Sequence, residues 1–294
     1  MKHMNTRTHE TIAGWLFVSP WVIGFLLFTI YPIVMSFYYS LTSYNVISDP
    51  TFIGAENYVN LFKDSVYRTS LFNTLYTVGV GVTLTTLVSL LSAILMNNKK
   101  LKGLSFFRVV FFIPTLVPLV INCLLWMWIL QTDIGLINTL LGYLGIKGPQ
   151  WLASPVWSKP ALILMMIWGC GGSIIIYLAG LQDVPESLYE SAELEGASFF
   201  QKTVYITVPM ISPVLLYNVI NATIGVFQWF AEPLVMTEGG PNNSTLFYSL
   251  NLYQNAFQFF KMGYASAMAW VLLVIALFII FLLFKGLGRL NNNT

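Results

Sequence analysis

Apolar residues gather into six long runs, at about 12–41, 71–96, 106–130, 161–181, 211–236 and 264–284, with shorter polar stretches between them. Each run reaches the roughly 20 residues that a helix needs to cross a hydrocarbon core of about 30 Å. Lipid offers no partner to a backbone N–H or C=O, so only helices and closed barrels cross it, and runs this long exceed a barrel strand. The pattern predicts an all-α polytopic membrane protein of six transmembrane helices. Pro20 and Pro32 in the first run, and Pro114 and Pro118 in the third, remove backbone donors and predict kinks. Gly79 and Gly81 with Thr83, Thr85 and Thr86 give the second run a small-residue face suited to close helix packing.

The stretches 42–70, 131–160 and 237–263 lie on one side of these spans. Two of them carry apolar segments of their own, 134–144 with Trp151 and Trp157, and 246–260, which predicts short interfacial helices with Trp and Tyr at headgroup depth. The organisation expected is a tail, first span and loop over 1–70, a transmembrane domain over 71–284 with a polar loop at 183–209, and a tail at 285–294.

Composition agrees: of 294 residues 56% are hydrophobic and 9% charged, with mean hydropathy +0.72, against about a quarter charged in soluble domains. Basic residues orient the chain. One side receives Lys2, Arg7, Lys99, Lys100, Lys102, Arg108, Lys202, Lys285 and Arg289, the other Lys63, Arg68, Lys147, Lys159 and Lys261. The first set is the larger, which predicts cytoplasmic termini. The apolar run after the N-terminal charges is too long for a signal peptide and no small-residue cleavage site follows it, so it is expected to be retained. Net charge +2 without a basic stripe gives no reason to expect nucleic acid. Cys123 and Cys170 fall inside spans and say little about redox compartment. His3 and His9 have no metal-ligand spacing, no hydrolase triad is visible, and no Gly-x-x-x-x-Gly-Lys-Ser/Thr loop exists to bind ATP, so no enzyme activity, metal or resident cofactor is expected.

Two regions hold candidate chemistry. The segment 182–210 carries Asp183, Glu186, Glu190, Glu193 and Glu195. Asp183 two residues before Pro185 predicts a helix start, with the acids favouring its positive end. Leu188, Ala192 and Glu195/Gly196 then share a face, Gly196 ends the helix, and 199–208 forms a second arm up to Pro209. Within the spans, Glu232 is the costliest residue, at about 2.5–3.5 kcal/mol unless paired, protonated or wet. Gln228 lies four residues before it, with Asn221 and Asn218 on or near the same face, and Ser173 and Tyr177 stand on the fourth run. Trp168-Gly169-Cys170-Gly171-Gly172-Ser173 lacks the strand–turn–helix setting of a phosphate loop. It reads better as a cavity wall, where a polar ligand would meet hydroxyl and amide groups and stack on Trp168, Tyr177 or Trp229.

The order Glu190-Ser191-Ala192, three residues, Gly196, nine residues, Ile206-Thr207-Val208-Pro209 resembles the EAA loop of inner-membrane permease subunits of binding-protein-dependent ABC importers. Ser191 and Val208 replace the usual Ala and Leu. Met236-Thr237-Glu238-Gly239-Gly240-Pro241, Thr245, Tyr253-Gln254-x-Ala256-Phe257 and Gly263-Tyr264-Ala265-Ser266-Ala267 are similar to the MalF-like permeases of carbohydrate uptake. The maltose protein's extra spans and large external domain have no counterpart, so maltose does not follow. The resemblance, over about 71–283, implies the type I importer (MetI-like) permease fold in the cell membrane. It implies that Glu190, Ser191, Ala192, Gly196, Ile206 and Pro209 engage an ATPase groove, and that a site near Gly169, Gly172, Gln228 and Trp229 receives substrate. The implied partners are a second homologous permease, two ATPase subunits that bind ATP and Mg²⁺, and a solute-binding protein. Rival readings are a proton-coupled transporter or an intramembrane enzyme built on Glu232, and an importer of amino acids, peptides or anions. The lack of an intramembrane Lys or Arg, with Arg108 at the cytoplasmic end of its run, weighs against an anion, and Gly-Gly-Pro favours sugar.

Overall fold

The computed structural model describes residues 6–97 and 103–291, with side chains at 10–97 and 103–286. Lys2, His3 and the Lys99, Lys100, Lys102 cluster lie outside the described residues. The six apolar runs map onto three single helices, two bent pairs and, for the fifth run, Ser212–Phe227 with Ala231–Thr237. The single helices are Glu10–Ser40, Ser65–Met96 and Met262–Gly286. The pairs are Leu104–Leu116 with Leu119–Ile129 and Ser158–Trp168 with Gly171–Gln182, bent by 103° and 47°, and Ser212–Phe227 meets the preceding Phe199–Met210 helix at 76°.

Proline chemistry explains where several of these helices give way. Pro20 sits inside the continuous first helix, whereas Pro32 follows a π-helical turn at Leu26–Ile30. Such a turn widens the backbone just where a proline ring would meet the carbonyl of the preceding turn. Pro114 also lies inside its helix. The 103° bend comes at Val117-Pro118: Val117 is extended (φ −74°, ψ 124°), as a residue before proline prefers. The kink expected in the third run is therefore nearly a right angle.

The fifth run departs furthest from expectation. Its helix stops at Phe227 and another begins at Ala231. In one continuous helix Pro233 could not donate to the Trp229 carbonyl, and its ring would clash there. Gln228, Trp229 and Phe230 form the break instead, and Pro233 falls in the first turn of the new helix. The expected stacking of Gln228 over Glu232 on one helix face therefore does not occur.

The chain divides into two compact units, Met1–Lys63 with Tyr253–Val271, and Asp64–Leu252 with Leu272–Thr294. In the first, a two-residue antiparallel ribbon pairs Thr42 with Phe52 and Ser43 with Thr51, a small exception to the all-α expectation. Buried Asn57 donates to the carbonyls of Ser40 and Thr42 at 2.9 and 2.8 Å, so the turn after the first span keeps its backbone acceptors satisfied.

The second unit has two apolar clusters. One joins Leu90, Ala93 and Met96 to Ile174, Tyr177, Leu178, Leu181, Ile211 and Leu215. The other joins Cys123, Trp126 and Leu130 to Ala161, Leu162, Met165, Trp229, Met236 and Phe247. Gly81 meets Ile163 and Met166, so the second span packs on the fourth at that point, whereas Gly79 meets nothing within 4 Å and Thr83 is exposed. At Gly171 a Cβ would run into the Phe111 carbonyl, which is how closely the 171–182 and 104–116 helices approach.

Candidate coupling hairpin and pathway residues

The segment after Gln182 forms a closed hairpin. Asp183 does not cap its first helix. Asp183 instead ends the preceding helix, its N–H bonded to the Gly180 carbonyl, because that helix runs on to Gln182. The first arm is Glu186–Leu194, with Pro185 at the cap position and Glu186 in the first turn, where an acid suits the helix dipole. It ends in a Schellman turn: Gly196 N–H bonds to Glu193 O at 3.0 Å and Ala197 N–H to Ala192 O at 2.9 Å. Gly196 has φ +79°, the left-handed conformation that a residue without Cβ adopts at little cost.

The second arm starts with a capping box. Ser198 N–H donates to Gln201 Oε1 at 2.8 Å, and Gln201 N–H to Ser198 Oγ at 3.3 Å, so two otherwise unpaired donors of a helix start are satisfied reciprocally. The arm runs through Phe199–Met210, with a π-helical turn at Thr203–Thr207 before Pro209. Two contacts close the hairpin. Lys202 Nζ lies 2.6 Å from Glu193 Oε1. Thr207 Oγ1 donates to the Lys202 carbonyl at 3.2 Å, which leaves its oxygen to accept from Tyr189 OH at 3.0 Å.

Of the expected coupling residues, Glu190 and Ser191 are exposed on the first arm, Ala192 and Gly196 form the turn, and Ile206 and Pro209 are half-buried on the second arm. Leu194, Phe200 and Tyr205 are 91%, 73% and 75% exposed. A polar hairpin that presents such apolar side chains has the makings of a docking surface. The clasp residues Tyr189, Lys202 and Thr207 were not picked out from sequence. Ser198-x-x-Gln201 was a readable start signal for the second arm, and the clasp follows once both arms are placed.

Of the expected pathway residues, Tyr177 belongs to the first cluster and Trp229 to the second, and the others lie outside both. Trp168 is exposed at the end of its helix, with its ring 6.2 Å edge-on from Trp126. Gly169 lies at the 47° joint, and Gly172 and Ser173 are half-buried just beyond it. Tyr177 is 0% and Trp229 8% exposed, so both pack inside a cluster, Trp229 against Phe247 at 5.0 Å. Buried Asn218 and exposed Asn221 donate to carbonyls of their own helix, Val214 O at 3.1 Å and Tyr217 O at 2.9 Å. Gln228 is exposed in the helix break, and Glu232 is half-buried in the first turn of Ala231–Thr237.

The Met236–Pro241 segment is a brace. The hydroxyls of Thr237 and Thr245 lie 2.7 Å apart, and Thr245 donates to Gly240 O at 2.7 Å. The chain beyond it is held to the head of the second span. Asn73 donates to the carbonyls of Asn243 and Leu246 at 2.8 and 3.0 Å, and Tyr248 N–H donates to Thr74 Oγ1 at 2.9 Å.

Broken spans, and a clasped hairpin that enters the fifth span through a 76° joint, are the architecture in which these residues are held. The chain belongs to the family described as binding-protein-dependent transport system inner membrane component, whose profile matches residues 85–290. It is 39% identical over 290 residues to the probable ABC transporter permease protein YesP of Bacillus subtilis (strain 168), covering 97% of this chain and 93% of that protein. It is 35% identical over 285 residues to the lactose transport system permease protein LacF of Rhizobium radiobacter, covering 95% of each. A chain in the crystal structure of a bacterial alginate ABC transporter, in complex with an alginate pentasaccharide-bound periplasmic protein, superposes with TM-score 0.81 at 22% identity, covering 97% of both. That likeness shows the fold, the permease fold of type I importers.

Proposed function

We propose that this chain is one of two permease subunits of a sugar or oligosaccharide importer, with both termini and the 183–210 hairpin in the cytoplasm. The sugar assignment is supported by the lactose permease relative and by the Met236–Pro241 brace. Two separate ATPase subunits bind ATP and Mg²⁺ and drive alternating access, a solute-binding protein delivers the sugar from outside, and this chain performs no covalent chemistry. The hairpin carries the reading. Its exposed Glu190, Leu194, Phe200 and Tyr205 face the ATPase, and its second arm leads into Ser212–Phe227 through a 76° joint, so movement of the dock turns a span. The pathway runs past the accessible members of the expected set, Trp168, Gly169, Asn221 and Gln228, and past half-buried Glu232.

Charge reversal at the dock tests this. In the assembled importer, Glu190→Lys is expected to lower sugar uptake and retention of tagged ATPase about tenfold or more, the scale of a lost interfacial charge contact. Lys63→Glu, on the opposite side of the membrane, is expected to leave both unchanged. Wild-type uptake and retention in Glu190→Lys would reduce the hairpin to a solvated loop.

A further inference from the structure

The 64–252 unit holds a cation that the coupling hairpin does not use. Lys159 is the second residue of the Ser158–Trp168 helix and is half-buried. Its Nζ lies 3.0 Å from Asn73 Oδ1 and 5.7 and 5.4 Å from the ring centroids of Phe72 and Tyr76. Asn73 is buried, and its amide nitrogen is bound by the carbonyls of Asn243 and Leu246, which holds Oδ1 toward the lysine. One of the three ammonium donors is thereby used, and the two rings add cation–π attraction. No carboxylate pairs with Lys159 among the described residues.

A second cation stands on the Phe72 helix. Arg68 lies one helical turn before Phe72, and with Ser65, Thr69 and Phe72 it lines an open groove of about 380 Å³. The Arg68 guanidinium is exposed and hydrogen-bonded to no described residue. The nearest acid in sequence, Asp64, caps its own helix by accepting from Val66 N–H at 2.8 Å. The groove therefore offers an exposed aromatic face and an arginine fork, and the Phe72 ring that lines it also lies 5.7 Å from the Lys159 ammonium, which has donors to spare. Both cations belong to the set placed outside the membrane.

We propose that Lys159, Arg68 and Phe72 form an anion acceptor at the outer mouth of the permease, which takes the carboxylate of a uronic-acid unit while the sugar ring lies on Phe72. The imported class is then an acidic oligosaccharide, an inference that rests on the sugar-importer reading above. It also removes the argument against an anion, because Lys159, counted as outside the runs, begins a span. The chemistry matches the groove: charge-assisted bonds from Arg and Lys to a carboxylate are the strong class of hydrogen bond, and an aromatic face suits the apolar side of a pyranose.

The complete importer, with its binding protein, is tested in liposomes of phosphatidylglycerol and, separately, of phosphatidylcholine. The probe is a mixture of neutral and uronic-acid oligosaccharides of matched length, with mass spectrometry of what enters. Wild type is expected to take up uronic-acid members in both lipids. Lys159→Gln, which keeps a donor for Asn73, is expected to lower their uptake about tenfold or more relative to neutral members, as loss of a hydrogen bond to a charged group predicts. Arg68→Gln is expected to act in the same direction. Import of neutral members alone by wild type would overturn the proposal. So would an equal loss of both classes in Lys159→Gln, which marks a structural lysine, or a loss confined to phosphatidylglycerol, which makes the lipid phosphate its partner. Import of nothing by an assembled complex whose ATPase responds to the binding protein would take down the sugar reading and this inference with it.

Discussion

Gly171 and Gly172 are neighbours with opposite surroundings. A Cβ on Gly171 would sit in the Phe111 carbonyl, whereas one on Gly172 would meet nothing within 4 Å. Because the obstacle at Gly171 is backbone, neither helix can turn a side chain aside, and the 104–116 and 171–182 helices must part. Gly171→Ala is therefore expected to cost about 1–3 kcal/mol, the usual range for overpacking, and Gly172→Ala under about 0.5 kcal/mol, read as the thermal midpoints of the purified complex. Equal midpoints would mean that the helices do not touch there. Gly196 asks a different question, since its φ is +79° and its surroundings within the chain are open. Only the backbone conformation penalises a side chain here, by about 1–2 kcal/mol for most residues and less for Asn. If the turn alone matters, uptake should fall in the order Asn, Ala, Val at position 196. Equal loss of ATPase retention in all three variants would show that the groove itself excludes a side chain.

At the scale of elements, the hairpin is two arms hinged at Gly196 and clasped by Glu193 with Lys202 and by Tyr189 with Thr207. Without the clasp, a pull on the first arm would open the hinge before it turned the span. An exposed ion pair adds only about 0–1 kcal/mol, so its loss should change coupling more than folding. Glu193→Lys and Lys202→Glu singly are expected to lower sugar moved per ATP hydrolysed by severalfold, roughly the effect of 1 kcal/mol, and the double exchange to restore it. Failure of the double exchange, with both proteins assembled, would place the effect in the ATPase contact. The spans, the two arms and the turn at Gly196 were legible in sequence because each follows from local properties: apolar length, a cap, a glycine. The breaks were less so. Pro233 marks the interruption at Gln228 in principle, yet an unbroken apolar run concealed it, and the 47° joint at Gly169-Cys170 has no proline to announce it. Asp183 reads as a cap in sequence, but the preceding helix runs on to Gln182 and takes Asp183 as its own end. The Asn73 network joins residues 170 and 173 positions apart, and no local pattern encodes such a pairing.

At the scale of the whole molecule, the surface argues for lipid and partners. The most apolar windows of Glu10–Ser40, Ser65–Met96 and Met262–Gly286 are 0%, 33% and 11% buried within the chain. Water would not tolerate that much exposed hydrocarbon; a bilayer and a second subunit would. Which pole of the molecule faces the cytoplasm then decides whether the hairpin can reach an ATPase at all, and Lys/Arg bias is the argument for its orientation. Single cysteines test it directly, because the native Cys123 and Cys170 are both buried and give a low background. Ser187 is exposed on the hairpin and Ala153 is exposed in the stretch between the third and fourth spans. In intact cells a membrane-impermeant maleimide is expected to label Ala153→Cys and leave Ser187→Cys unlabelled, and in inside-out vesicles the pattern should reverse. Labelling of Ser187→Cys from outside in a complex that still imports would put the hairpin on the wrong side for an ATPase. The coupling role, the cytoplasmic termini and the outer location of the Lys159 groove would then fall together.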